Sequence, residues 1–183
     1  GRFVVEVVDT KAVEKTFADY SCWAAAITAK IIDVITIEKP VKDKNGETLM
    51  RPDKDGVNEI VKRKMAVTGT EKEQALKSVK GRIITDEIPL YHELEKTFFK
   101  KRRLFVAQKL EIIAPGQTNF SSRLWGTVPG KVIIMETEWN TYTNKKTGEV
   151  KKNVQVAVDG YEKYTPEYKA ELGNKSDHDE PTI

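Results

Sequence analysis

The stretch from Lys131 to Val158 constrains the fold more than any other part of the sequence. Ile133, Met135, Thr137 and Trp139 share one parity, and Glu136, Glu138, Asn140 and Tyr142 share the other. Asn144 to Gly148 then has the composition of a hairpin tip. Beyond it Val154, Val156 and Val158 alternate with Lys151, Asn153 and Gln155. A period of two on both sides of a glycine-containing turn specifies an antiparallel hairpin with one face toward a core. A chain that carries it must build a sheet, so an all-helical architecture is excluded. Trp139, on the parity of Ile133 and Met135, is expected to be buried, with Val154, Val156 and Val158 facing inward.

The rest of the chain supplies partners for that hairpin. Phe3 to Val8 reads as a strand, and Asp9 to Tyr20 as a loop or short helix. Cys22 to Glu38 fits both a helical spacing and an alternation. The β-branched density of Ile31 to Ile37 favours a strand, and Asp33 on its apolar face counts against one. Asp43-Lys44-Asn45-Gly46 and Asp53-Lys54-Asp55-Gly56 are turns. Val57 to Val67 is expected as a half-buried strand with Lys62 and Lys64 outward. Thr70 caps a helix ending near Gly81. Pro89 is expected to open a longer helix through Leu94, Phe98, Phe105 and Ile112 to Pro115-Gly116. These elements predict an α+β fold, mainly antiparallel β, as a barrel or curved sheet with two or three helices. It forms one domain over 1–172, with an insertion-like excursion at 40–87 and a mobile acidic tail at 173–183.

Chemistry is sparse. The only histidines are His92 and His178 and the one cysteine is Cys22, so a structural His/Cys zinc site cannot form within one chain. Cys22 is expected to pack in the core. Glycine-rich phosphate loops, nucleophile elbows and metalloprotease helices are missing. The Asp53–Gly56 turn lacks the first and last ligands of a calcium loop. Glu136, Glu138 and Glu149 with Lys151 could suggest a metal-dependent nuclease, but charges alternating on the solvent face of a hairpin give the same pattern. The expectation is a protein without catalysis, metal or cofactor. No apolar run approaches the roughly 20 residues that span a bilayer, and a reducing cytoplasm is the expected compartment.

Charge distribution carries the remaining signal. The chain has 31 Lys+Arg and 28 Asp+Glu, a net charge of +3. Residues 101–150 hold 8 basic and 4 acidic residues, and residues 151–183 hold 5 and 7. Basic clusters beside aromatic rings are what single-stranded nucleic acid requires: cations for phosphates, ring faces for bases. The residues expected to contact it are Lys62, Lys64, Tyr142, Lys145, Lys146, Lys151 and Gln155. Phe98 and Phe99 cannot both face a core fully, which leaves one for a stacking platform or a homo-oligomer contact.

The run Leu124-Trp125-Gly126-Thr127-Val128-Pro129-Gly130-Lys131-Val132, the Glu-rich strand, the Lys/Gly hairpin and the Val-rich return resemble a known family. With Phe3-Val4-Val5-Glu6-Val7, they are similar to small phage and prophage single-stranded-DNA-binding proteins of the OB-fold type. The resemblance covers Arg2–Val8, Cys22–Ile37 and Arg103–Thr165. It implies an OB-like barrel, a role in phage or mobile-element replication or recombination inside a bacterial host cell, and single-stranded DNA as partner. It also implies that the acidic tail, here Asp177-His178-Asp179-Glu180, occupies the DNA site or contacts a replication or recombination protein. The excursion from Pro40 to Glu87 departs from the short barrels of that family. Two other readings stand beside it: a structural or protein-interaction component of a mobile element, and the nuclease.

Overall fold

A computed structural model describes residues 1–17, 20–52, 56, 58–92, 97–144, 147–165 and 167. The expected tail and Lys145-Lys146 lie outside them. The strands are β1 (Arg2–Phe17), β2 (Tyr20–Pro40), β3 (Met50–Pro52), β4 (Asn58–Ile60), β5 (Lys62–Ala66), β6 (Ile83–His92), β7 (Val132–Thr143) and β8 (Val150–Lys163). The helices are α1 (Gly69–Val79) and α2 (Thr97–Lys109), with a 3-10 turn at Ser122–Thr127. The expected α+β class, mainly antiparallel, is what the structure has.

β1 and β2 form a long hairpin paired from Arg2↔Thr36 to Phe17↔Tyr20. The segment read as a loop or short helix is therefore strand as far as Phe17. Cross-strand pairing with the Ala- and Ile-rich β2 overrides its polar composition, as tertiary context commonly does. β1 also pairs with β7, and β7 with β8. Along its other edge β2 carries two strands in tandem, β5 opposite Thr36–Pro40 and β6 opposite Cys22–Lys30. The main order is thus β6-β2-β1-β7-β8, with β5 beside β6 on β2. β3 and β4 make a separate two-stranded sheet in the excursion.

Register shifts fall between Arg2/Phe3, Val4/Val5 and Val7/Asp9. Such bulges bend and twist a strand pair, and here they curl the sheet. Its inner face buries Val5, Val7, Ala25, Ile27, Ile31 and Met135, and α2 closes it with Val106 and Ala107, joined by Leu110 just past the helix end. Cys22 is buried, as expected.

The curl brings β6 close to β8 without a ladder between them, so the sheet is not closed into a barrel. Side chains join the two instead. Tyr161 Oη donates to Asp86 Oδ2 at 2.9 Å, and Arg102 Nη2 donates to the same carboxylate at 2.7 Å. Arg102 Nη1 donates to the Val158 carbonyl at 2.9 Å. Burial, reinforced by the Asp86 carboxylate, pushes the Tyr161 hydroxyl well above its ordinary pKa, so it remains a donor.

Three expectations are corrected. The segment from Pro89 is not the start of a helix: Pro89 lies inside β6 opposite Ala24, beside a register shift. β6 has a ladder on one side only, where a missing N–H is tolerated. Helix α2 starts at Thr97 and stops short of Pro115, with Glu111 just beyond it in the left-handed region at φ 53°. The strand expected over Val57–Val67 is not one half-buried strand over its described part, 58–67, Val57 lying outside the described residues. β4 and β5 are exposed throughout, and Val67 beyond them is buried. Asp33 is accommodated at the surface, where its carboxylate accepts from Lys72 Nζ at 2.8 Å.

Candidate nucleic-acid interface

The β1–β7 ladder ends at Arg2↔Glu136, and Gly1 exchanges backbone hydrogen bonds with Thr137 just beyond it. Past Thr137, β7 pairs with β8 alone among the described residues, and residues 138–143 with 150–155 form a two-stranded arm. Direct partners share a face, so Thr137↔Val156, Trp139↔Val154 and Thr141↔Lys152 form one column, continuous with the core. Thr137 and Val156 are buried, but Trp139 is 57% and Val154 55% exposed. The expected burial of Trp139 is therefore wrong, as is that of Val154 and of Val158. The parity of Trp139 is the core's, yet the buried column stops one pair earlier, at Thr137↔Val156.

Trp139 instead overlooks a cleft between the arm and the opposite wall of β2, β4 and β5. Two cavities, of about 460 and 530 Å³, share Glu38, Lys62 and Trp139 as lining. The first reaches inward to Phe3, Ile31, Val79 and Ile84, with Arg82 and Ile83 also lining it. The second is bounded by Glu59, Ile60, Thr141 and Lys152. Lys152 Nζ is 3.4 Å from Glu59 Oε1, a contact that spans the cleft. Among the described residues, the side chains of Glu38, Lys62 and Arg82 have no hydrogen-bond or ion-pair partner. An exposed indole, two uncommitted cations and an apolar recess thus lie together.

The residues expected at the interface do not all meet there. Lys62 lines the cleft. Lys64, two residues on, is held by Glu136. Tyr142 is 45% exposed but pairs with Lys151 on the arm's other face. That face also carries Gln155, whose Nε2 donates to Glu138 Oε1 at 3.0 Å. Lys151 Nζ lies 3.5 Å from Glu149. Lys145 and Lys146 lie outside the described residues. The carboxylates weighed for a nuclease are thus each engaged by a neighbour, and among the described residues no three His, Cys, Asp or Glu gather as a metal site.

Sequence reasoning missed Arg82, Lys152 and the exposure of Trp139. It also missed a second aromatic pair: Trp23 and Tyr91 are cross-strand partners on β2 and β6, 42% and 56% exposed. Only the position of Trp139 so near the hairpin tip could have signalled exposure. Phe98 is 52% exposed and meets Phe99 edge-on at 5.9 Å, so one ring of that pair does face outward. No helix among the described residues is long and apolar enough to cross a membrane. No protein-family model matches the chain, and no curated protein sequence matches it.

Proposed function

We propose that this is a non-catalytic single-stranded-DNA-binding protein whose strand passes through the cleft beside Trp139. The observation that carries this reading is the exposed indole of Trp139 set among the unpaired cations Lys62 and Arg82. Stacking on an aromatic ring is worth about 1–3 kcal/mol per base, and lysine and arginine supply the salt-sensitive phosphate term. The topology adds support. Five strands in the order β6-β2-β1-β7-β8, with α2 between β6 and β7, follow the connectivity of an OB-fold, a scaffold that binds oligonucleotides and is often partly open. A role in phage or mobile-element replication or recombination is what the resemblance implies for such a protein. Titration with a labelled thymidine oligonucleotide across a salt series tests the proposal. Affinity should fall with rising salt, and intrinsic tryptophan fluorescence should be quenched. Absence of binding at low salt would overturn it.

A second reading, a protein-interaction component of a mobile element, has its own observation. β8 ends the sheet order, so its outer edge along the arm lacks a ladder partner among the described residues, and an unpaired edge is a template for an added strand. A stable protein complex formed by a protein that ignores oligonucleotides would favour it.

A further inference from the structure

We propose that the cleft selects guanine among the bases of a bound strand, and that Glu38 is the residue that reads it. This rests on the single-stranded-DNA reading and names what that site prefers. A groove meant only for phosphates has no use for a carboxylate, which repels them. Yet Glu38 lines both cavities, beside Trp139 and Lys62. Its cross-strand neighbour on β5 is Lys64, whose ammonium is committed to Glu136, so Glu38 is not neutralised from there. The other carboxylates near the cleft are engaged, Glu59 by Lys152 and Glu138 by Gln155. Glu38 feels the charge of the Gly1 ammonium in the same cavity but makes no hydrogen bond or ion pair with it, so its two oxygens remain open to a ligand.

A carboxylate accepts hydrogen bonds and gives none, so its partner must present N–H groups. Guanine carries two adjacent donors, N1–H and the N2 amino group, on its Watson–Crick edge. Two parallel N–H groups match the two oxygens of one carboxylate, the bidentate arrangement that gives the strongest pairings. Adenine and cytosine set one amino group beside a ring acceptor, which would face the second oxygen unfavourably. Thymine has a single N–H flanked by two carbonyls. Trp139 offers its face to any base, and Lys62 and Arg82 serve the phosphates on either side. Selectivity then comes from Glu38.

The test compares oligonucleotides of about 12 residues: all thymidine, the same with one central guanine, and the same with inosine there, which lacks the N2 amino group. A single guanine avoids four-stranded structures. The guanine oligonucleotide should bind about tenfold more tightly than the thymidine one, with inosine losing most of that gain. Glu38→Gln, half-buried and isosteric, should melt like the parent, bind the thymidine oligonucleotide somewhat more tightly because a phosphate-repelling charge is gone, and lose the guanine preference. Equal binding of the guanine and thymidine oligonucleotides by the parent, or an unchanged preference in Glu38→Gln, would overturn the inference while leaving the single-strand reading intact. Failure to bind any of the three at low salt would overturn both.

Discussion

The two halves of the β7–β8 ribbon obey one alternation and meet opposite environments. Near Met135 and Tyr161 the ribbon is flanked by β1 and covered by α2, and both side chains are almost wholly buried. A few residues on, at Trp139 and Val154, the same face stands in the cleft. The difference teaches that parity fixes which way a side chain points, and the neighbouring strand decides whether anything is there to receive it. One half of the ribbon holds the fold together, and the other is free for a ligand.

The largest effect should come from the closed half. Asp86→Ala removes the acceptor shared by Arg102 and Tyr161 and leaves a guanidinium that is 9% exposed without its carboxylate. Breaking a buried pair this way costs about 3–5 kcal/mol, so the midpoint of urea unfolding should fall sharply. A variant as stable as the parent would mean that the seam between β6 and β8 contributes nothing.

At the junction of the two halves, Glu136 alone faces residues 157–160 of β8. A Cβ on Gly160 would sit 2.6 Å from the Glu136 carbonyl oxygen and 3.0 Å from that of Ala157. Both neighbours are backbone, so Gly160→Ala must displace a strand, at about 1–3 kcal/mol by analogy with overpacking. Thermal melting measures it. An unchanged midpoint would show that the junction is looser than the packing indicates.

A smaller effect separates the seam by its pH dependence. The folded pKa of Tyr161 is raised above the unfolded value, mainly by burial. Its contribution is therefore intact below about pH 10 and declines as pH rises further, because the unfolded chain releases the proton first. Tyr161→Phe should lose roughly 1 kcal/mol at neutral pH with its hydrogen bond, and its stability should decline less steeply above pH 10. Parallel alkaline profiles would remove the titration argument.

The smallest effect on stability belongs to the open half. Trp139→Ala should change unfolding free energy by no more than about 0.5 kcal/mol, as for surface positions. The same variant should weaken oligonucleotide binding by the value of one stack, about 1–3 kcal/mol. A marked loss of stability without a loss of binding would reverse the roles assigned to the two halves.

What could be read in the sequence follows from this distinction. The hairpin, the strand character of Cys22–Glu38 and helix α1 are local patterns, visible in side-chain alternation or in an acidic first turn, although Thr70, expected as the cap, lies inside α1 and Thr68 takes the N-cap position without a side-chain hydrogen bond. The continuation of β1 to Phe17 is not, because the strand is held by cross-strand pairing that local composition does not encode. Pro89 misled for the same reason: its place in β6 depends on that strand having one free edge. Of the site, Lys62 was found by its cluster and Trp139 was noticed but given the wrong surroundings. Glu38 and Arg82 belong to strand ends far apart in sequence, and only the fold sets them on the same recess as Trp139.

The tandem arrangement on β2 bears on how such a chain can vary. β5 ends opposite Thr36 and β6 begins opposite Lys30, so each takes its register from the long strand and neither from the other. The link between them, which holds α1, can then gain or lose residues without sliding either strand. Length changes there would be absorbed as surface structure, leaving the five-stranded frame and the cleft's opposite wall in place. Relatives of this chain should differ most in length between Val67 and Arg82, and a foreign segment grafted there should leave both pairings intact.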